Sequence, residues 1–135
     1  MKTLVRTALI LVFGFVTGCN PSPNPALSGT WAFTLTPIDS PSEPIQATAV
    51  LTQLGDNVTG QVTLTGSNSS CGSTATMTGT VKGNALALQL TQSQSALSFT
   101  GQANVAFTSA SGTYSATTGT CLQNVGPGNW SAVLD

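Results

Sequence analysis

The chain has 135 residues, with three basic and four acidic side chains, no histidine and a formal net charge of −1. This length suits a single domain, and so few positive charges exclude a basic track for nucleic acid. The lack of histidine excludes histidine-based acid–base catalysis and histidine-ligated metal sites.

Residues 1–18 have the organisation of a signal peptide. Lys2 and Arg6 precede an uncharged run, 7–18, whose centre is apolar. A basic start followed by a short apolar segment is typical of a secretory signal. The run is shorter than the roughly 20 apolar residues that a membrane-spanning helix needs. The alternative, a buried core helix, does not explain the basic start, so we expect residues 1–18 to be removed on export.

The end of this segment resembles the lipobox of bacterial lipoproteins. That pattern is an aliphatic residue, a small residue, glycine or alanine, and then cysteine; Val16, Thr17, Gly18 and Cys19 match it at all four positions. The resemblance implies that the Cys19 thiol receives a diacylglyceryl group and that its amino group, freed by cleavage, is acylated in turn, for example with palmitate. Two or three acyl chains would anchor the protein firmly. Asn20 departs from the aspartate that favours inner-membrane retention, so the expected location is the outer membrane of the cell envelope.

The next segment, 19–28, begins with the lipidated cysteine and is expected to be a tether. Pro21, Pro23 and Pro25 favour an extended, semi-rigid chain. A folded domain is predicted from 29 to 135. Once the signal peptide is removed, one lysine stands against four acidic residues, a net side-chain charge of −3.

Cys71 and Cys121 are the two remaining cysteines. In an exported chain a disulfide between them is the default expectation. A reactive or metal-bound thiol is the alternative, but neither cysteine has CxxC spacing or a basic neighbour that would activate it.

From Gly29 onwards, apolar and polar residues alternate with a period of two, which is typical of half-buried strands. The inward positions of the sixth and seventh strands include Val105, Phe107 and Ala116, whereas the two faces of the second strand are ambiguous. The eight predicted strands lie at 29–36, 45–54, 57–65, 74–82, 84–91, 96–107, 111–118 and 128–134. The predicted fold is all-β: an eight-stranded antiparallel up-and-down meander closed into a small barrel. A two-sheet β-sandwich is the alternative.

Four glycines fall at predicted inward positions of four different strands: Gly60, Gly79, Gly101 and Gly112. Glycine within a strand marks a bend or a close approach of two backbones, and small barrels bend at such points. The alternative is that glycine is merely tolerated in a threonine-rich chain.

The start of the first strand is similar to the Gly-x-Trp motif of the lipocalin and avidin group, through Gly29, Thr30 and Trp31. The resemblance implies a calycin-like up-and-down barrel in which Trp31 closes one end beneath a ligand cavity. We expect Trp130, on the last strand, to belong to the same barrel-closing core. The helix that follows the barrel in lipocalins and the polar cluster that reads biotin in avidins are not recognisable, so no particular ligand is implied.

The connections of the predicted meander differ in length between its two ends. One end carries three long connections, whereas the other has tight turns, so the long connections predict the mouth of a barrel. Cys71 and Cys121 both fall on this rim. The four connections at this end are 37–44, 66–73, 92–95 and 119–127.

No enzyme is predicted, because the acidic residues lie in a loop, a turn and the terminus rather than on an inward face. No cofactor or metal-ligand cluster is recognisable. Two functions remain for a protein that we expect to be a monomer. In the first, a small apolar or amphipathic ligand binds at the long-loop end; the candidate residues are Phe33, Leu35, Leu88, Phe99 and Tyr114. In the second, the barrel is filled by its own side chains, and the lipoprotein has a structural or protein-interaction role, including a protease-inhibitor-like one.

Overall fold

The structure is a computed structural model that describes residues 26–65, 72–93, 95–118 and 126–135. Each strand pairs antiparallel with the next, and the last strand pairs with the first, so the sheet closes into a barrel. The predicted all-β meander is therefore confirmed, and the sandwich alternative is excluded. In the described ranges, no helix is long and apolar enough to cross a membrane. The strands are β1 Gly29–Pro37, β2 Ile45–Leu54, β3 Asn57–Thr65, β4 Thr74–Lys82, β5 Ala85–Gln92, β6 Ser95–Ala103, β7 Ser109–Thr118 and β8 Gly128–Leu134.

The strand β2, whose faces the sequence leaves ambiguous, turns its small residues inward. Ala47 and Ala49 are buried, whereas Val50 is 56% exposed on the outer face. The reason lies in the register, because Ala47 pairs with Phe33 and Ala49 pairs with Trp31 across β1. The bulky rings of β1 occupy the interior beside β2, and alanine leaves the space that they need.

The strand β6 is shorter than predicted, and its end is a correction to the sequence pattern. The pattern extends to Phe107, but the strand ends at Ala103 and a five-residue turn, 104–108, follows. The Asn104 side chain holds this turn: its Oδ1 accepts hydrogen bonds from the backbone N–H groups of Thr108, at 2.8 Å, and Ser109, at 3.2 Å. Such local bonds from asparagine compete with the strand ladder.

The turn separates the two apolar residues that the alternation placed on one face. Val105 is 85% exposed instead of inward. Phe107 is buried as expected, but it reaches the interior from the turn with a left-handed backbone, at φ 54°. Ala116, also predicted inward, is exposed near the end of β7, where the ladder with β6 shifts its register between Ala96 and Leu97.

The four inward glycines lie where neighbouring backbones approach closely. A Cβ atom at Gly60, Gly79, Gly101 or Gly112 would collide with a backbone carbonyl oxygen of the adjacent strand. A side chain at these positions would push the strands apart. The close-approach interpretation is therefore the correct one, and glycine is required rather than tolerated.

The two ends of the barrel differ in their connections. We call one the tight-turn end: it carries the turns at 55–56 and 83–84, the turn at 104–108, and the segment 26–28 that leads into β1. Gly55 and Gly83 have φ values of 60° and 62° there, as the first central residue of a two-residue hairpin loop often requires. We call the opposite end, with the longer connections, the long-loop end.

Candidate functional site

Four aromatic side chains meet inside the barrel, and three of them were predicted to contact a ligand. Phe33 stacks on Trp130 with ring centroids 5.6 Å apart, and Phe99 meets Trp130 edge to face at 6.0 Å. Phe33 and Phe99 lie 6.4 Å apart, and Tyr114 lies 5.8 Å from Phe99. These are the separations of favourable aromatic pairs. The rings come from four consecutive strands of the closed barrel, β6, β7, β8 and β1. The contact between Phe33 and Phe99 joins β1 to β6, which are not hydrogen-bonded neighbours, so the cluster packs across the interior.

Two glycines allow Trp130 to lie flat against the sheet. Trp130 pairs with Gly112, and Gly112 pairs with Gly101. A Cβ atom on Gly101 would come within 2.7 Å of the Trp130 ring. The ring therefore extends over two glycines in a row, and its Nε1–H donates to the carbonyl of Thr100 at 3.1 Å. Trp130 is fixed in orientation by this bond as well as by packing.

The other two predicted ligand residues also lie in the interior. Leu35 and Leu88 are 2% and 3% exposed. Leu35 pairs with Trp130 across β1 and β8, and Leu88 pairs with Phe99 across β5 and β6. The structure thus brings all five predicted residues into one core, where the three aromatic ones contact each other or Trp130.

The sequence reasoning missed a polar pair at the long-loop end. Gln92 and Ser95 are buried, at 2% and 1% exposure, and pair with each other between β5 and β6. The Gln92 Nε2 donates to the carbonyl of Gly72, but no donor among the described residues reaches its Oε1. The sequence pattern could have revealed Gln92. The inward positions of β5 are Leu86, Leu88 and Leu90, and the next inward position in the same alternation is Gln92.

The segment 26–28, which the sequence assigns to the tether, closes the tight-turn end of the barrel. Leu27 is 2% exposed and belongs to the core. Its carbonyl accepts the Trp31 indole N–H at 2.9 Å, and its own N–H donates to the Gln53 Oε1 at 2.9 Å. The Ser28 hydroxyl accepts the backbone N–H of Gln53 at 2.9 Å. Trp31, itself 1% exposed, is therefore held at this end by the chain that precedes β1.

A groove of about 780 Å³ opens at the tight-turn end, on the side of the molecule where no mouth was predicted. Its walls include the exposed Val105, the ring of Phe107, and the polar residues Gln53, Asp56 and Asn84. Two shallower depressions, of about 300 and 450 Å³, lie over Gly79 and Gly60 on the barrel wall.

The charged side chains in the part of the chain that the structure describes are exposed and lie at both ends of the barrel. Asp39 and Glu43 are exposed in the connection 38–44 at the long-loop end, whereas Asp56, Lys82 and Asp135 are exposed at the tight-turn end. Among the described residues, no three acidic or cysteine side chains are grouped closely enough to hold a metal ion.

Tyr114 is the buried titratable group of the aromatic cluster, at 3% exposure. Burial raises the pKa of its hydroxyl above the ordinary value of 10.0, because the charged phenolate would lose its solvation. The hydroxyl therefore stays protonated at physiological pH.

The predicted signal peptide, the lipidation site Cys19 and the cysteine pair Cys71 and Cys121 all lie outside the described residues. The disulfide and the lipid anchor accordingly stay predictions from the sequence.

Two comparisons with known proteins found no relative of this chain. No family model matches the chain, and no curated protein is significantly similar to it. The likeness to the lipocalin and avidin group therefore rests on the eight-stranded up-and-down architecture, which is consistent with a calycin-like barrel.

Proposed function

We propose that this protein is a non-enzymatic, lipid-anchored protein of the cell envelope, whose barrel is filled by its own side chains and which acts through its outer surface and loops. The observation that carries the proposal is the contact of Phe33, Phe99 and Trp130 inside the barrel. The motif ending at Cys19 supports the anchor.

The width of the barrel limits what its interior can hold. An eight-stranded barrel has an interior just wide enough to be filled by side chains or to hold one small ligand. Here rings from nearly opposite strands lie 6.4 Å apart, and Leu35, Leu90 and Leu97 beyond them are at most 2% exposed. A ligand at this level would have to displace aromatic contacts worth about 0.5–1.5 kcal/mol per pair beyond their buried area.

Native mass spectrometry of the full acylated chain, released from mild detergent, tests the filled barrel. We expect the mass of the acylated chain alone. The variant Leu88→Ala supplies the positive control, because a cavity lined by apolar side chains takes up small apolar molecules. It should bind benzene or xenon, whereas the wild-type chain should not. A small molecule retained by the wild-type chain would contradict the proposal.

A second candidate function is favoured by the buried Gln92 Oε1, which no donor among the described residues reaches. A buried amide oxygen without a donor costs about 1–3 kcal/mol, and a small amphipathic ligand with an N–H or O–H group at the long-loop end would satisfy it. Under this alternative, the variant Gln92→Met loses a molecule that the wild-type chain retains. Under the filled-barrel proposal, neither chain retains one, and the melting temperature of Gln92→Met is similar to or higher than that of the wild type.

The anchor is tested by Cys19→Ala, which removes the thiol that would be acylated. We expect this variant to leave the membrane fraction. If it still pellets with membranes after a high-salt wash, the lipid anchor is refuted. Outer-membrane sorting is tested by Asn20→Asp, which should move the protein to the inner membrane on a density gradient.

A further inference from the structure

We infer that the tight-turn end of the barrel faces the membrane, and that Leu54 and Val105 on it contact the lipid headgroup region while the long-loop end points away. This inference rests on the proposed lipid anchor, and it adds to that anchor a defined orientation and a second contact with lipid.

The exposed apolar side chains of the described residues are concentrated in the half of the barrel at the tight-turn end. Leu54 and Val105 are 76% and 85% exposed at the tight-turn end. Val50 and Val133, each 56% exposed, lie on the outer wall of the same half, because Val50 pairs with Thr30 near the start of β1, and Val133 pairs with Ser109 at the start of β7. At the long-loop end, the large exposed apolar residue of the described chain is Ile38, at 65%.

The chain that leads from the proposed anchor joins the barrel at the tight-turn end. Leu27 is fixed at the tight-turn end by its bonds to Gln53 and Trp31. Six residues lie between the anchor at Cys19 and Ala26, so the tether spans seven residue steps. A proline-rich chain extends about 3.1 Å per residue, and the tether therefore reaches about 22 Å.

The height of the barrel makes the opposite orientation unfavourable. β1 has nine residues; at about 3.3 Å per residue and a tilt of about 40°, the barrel wall is about 23 Å tall. To press the long-loop end on the bilayer, the tether would have to run the whole height of the wall, fully extended. With the tight-turn end on the bilayer, the same tether does not have to be fully extended.

The charges at the tight-turn end indicate which kind of interaction would hold it against the bilayer. The tight-turn end carries Asp56, Asp135 and the single described cation, Lys82, so electrostatic attraction to anionic lipid does not hold it there. Contact therefore depends on the apolar side chains at interfacial depth, and salt should not release it. The groove beside Val105 opens on this end, so the bilayer would cover it.

Tryptophan quenching tests the orientation on the full acylated chain. Val105→Trp and the matched control Ile38→Trp are each inserted into phosphatidylcholine vesicles whose acyl chains are brominated close to the glycerol. The emission of the wild-type chain, with its two buried tryptophans, is subtracted. Because an interfacial side chain lies within the headgroup and upper acyl region, we expect about a twofold loss of the added emission for Val105→Trp. The emission of Ile38→Trp should not change, and high salt should leave both results unaltered.

The orientation would be overturned if the two variants were quenched equally or if only Ile38→Trp were quenched. It would also be overturned if neither variant were quenched on vesicles that carry the protein. Flotation of the vesicles distinguishes a wrong orientation from a failure of the lipid anchor. If the wild-type chain does not float with the vesicles, the anchor and the orientation both fail; if it floats but Val105→Trp is unquenched, only the orientation fails. Ordinary circular dichroism of each variant confirms that it is folded.

Discussion

At the scale of single residues, the interior depends as much on the smallest side chains as on the largest. Trp130 lies across Gly112 and Gly101, and its indole N–H reaches the carbonyl of Thr100 only because neither glycine has a Cβ. Phe33 has room because Ala47 stands opposite it on β2. The aromatic cluster is thus made possible by residues that contribute almost no apolar area themselves.

The variant Gly101→Ala tests this dependence. Its Cβ would collide with the carbonyl of Ser111 and come within 2.7 Å of the Trp130 ring. Forcing an extra carbon into a packed core costs about 1–3 kcal/mol, so we expect a lower midpoint of urea unfolding, followed by tryptophan fluorescence. Ser111→Ala, at an exposed position on the adjacent strand, is the matched control and should be nearly neutral. Equal midpoints for both variants would show that the strands separate without cost.

Tyr114 offers a measurement of burial at one site, because it is the only tyrosine of the chain. Burial raises the pKa of its hydroxyl above 10.0 in the folded protein. The unfolded chain then loses this proton at a lower pH than the folded chain, so the free energy of unfolding falls as the pH rises above about 10.0. We expect phenolate absorbance to appear only at higher pH than for free tyrosine, and Tyr114→Phe to remove this part of the pH dependence. Phenolate absorbance at the ordinary pH would contradict the burial of the hydroxyl.

At the scale of elements, the period-two pattern predicted all eight strands, and it failed where a side chain forms local hydrogen bonds. Val105 and Phe107 keep the inward phase of β6, so alternation alone extends the strand to them. Asn104 ends the strand because it bonds to the backbone of Thr108 and Ser109. These bonds span only four and five residues, but a polar side chain makes them, and the pattern of apolar residues does not record it.

Asn104→Ala should therefore weaken the turn between β6 and β7. The variant loses three hydrogen bonds from one side chain, to the backbone N–H groups of Thr108 and Ser109 and to the Thr108 hydroxyl. Since each exposed bond has a small net effect, we expect a loss of about 1–2 kcal/mol in the free energy of unfolding. Gln102→Ala, at an exposed position on the end of β6, should change it much less. A similar loss in both variants would assign the effect to the strand rather than to the turn.

At the scale of the whole molecule, strand number, meander spacing and one-sided alternation favoured a closed barrel over a sandwich, and the pairing of β1 with β8 confirms it. The sequence did not predict whether the interior is filled by side chains or holds a ligand. It depends on which residue faces which across several strands, and the sequence contains no direct record of that register. The same limit explains why Leu27, outside every predicted strand, was not recognised as core.

Leu27→Ala tests whether the segment before β1 belongs to the folded barrel. Removing a buried leucine side chain usually costs about 2–5 kcal/mol, whereas a change within a linker costs almost nothing. We expect a loss in this range by urea unfolding. Ile38→Ala, which shortens an exposed aliphatic side chain at the other end, is the control. If both variants match the wild type, residues 26–28 are dispensable for folding.

Closure of the barrel also bears on how such a chain avoids aggregation. A strand at the edge of an open sheet presents unpaired N–H and C=O groups to other molecules, and proteins commonly protect such edges with charged side chains. This chain has few charges with which to do so. Because β1 pairs with both β2 and β8, the ladder returns on itself, and a second copy finds no free edge on which to add a strand. A protein whose surface is rich in threonine and almost without charge can therefore be present at high local concentration without associating through strand edges.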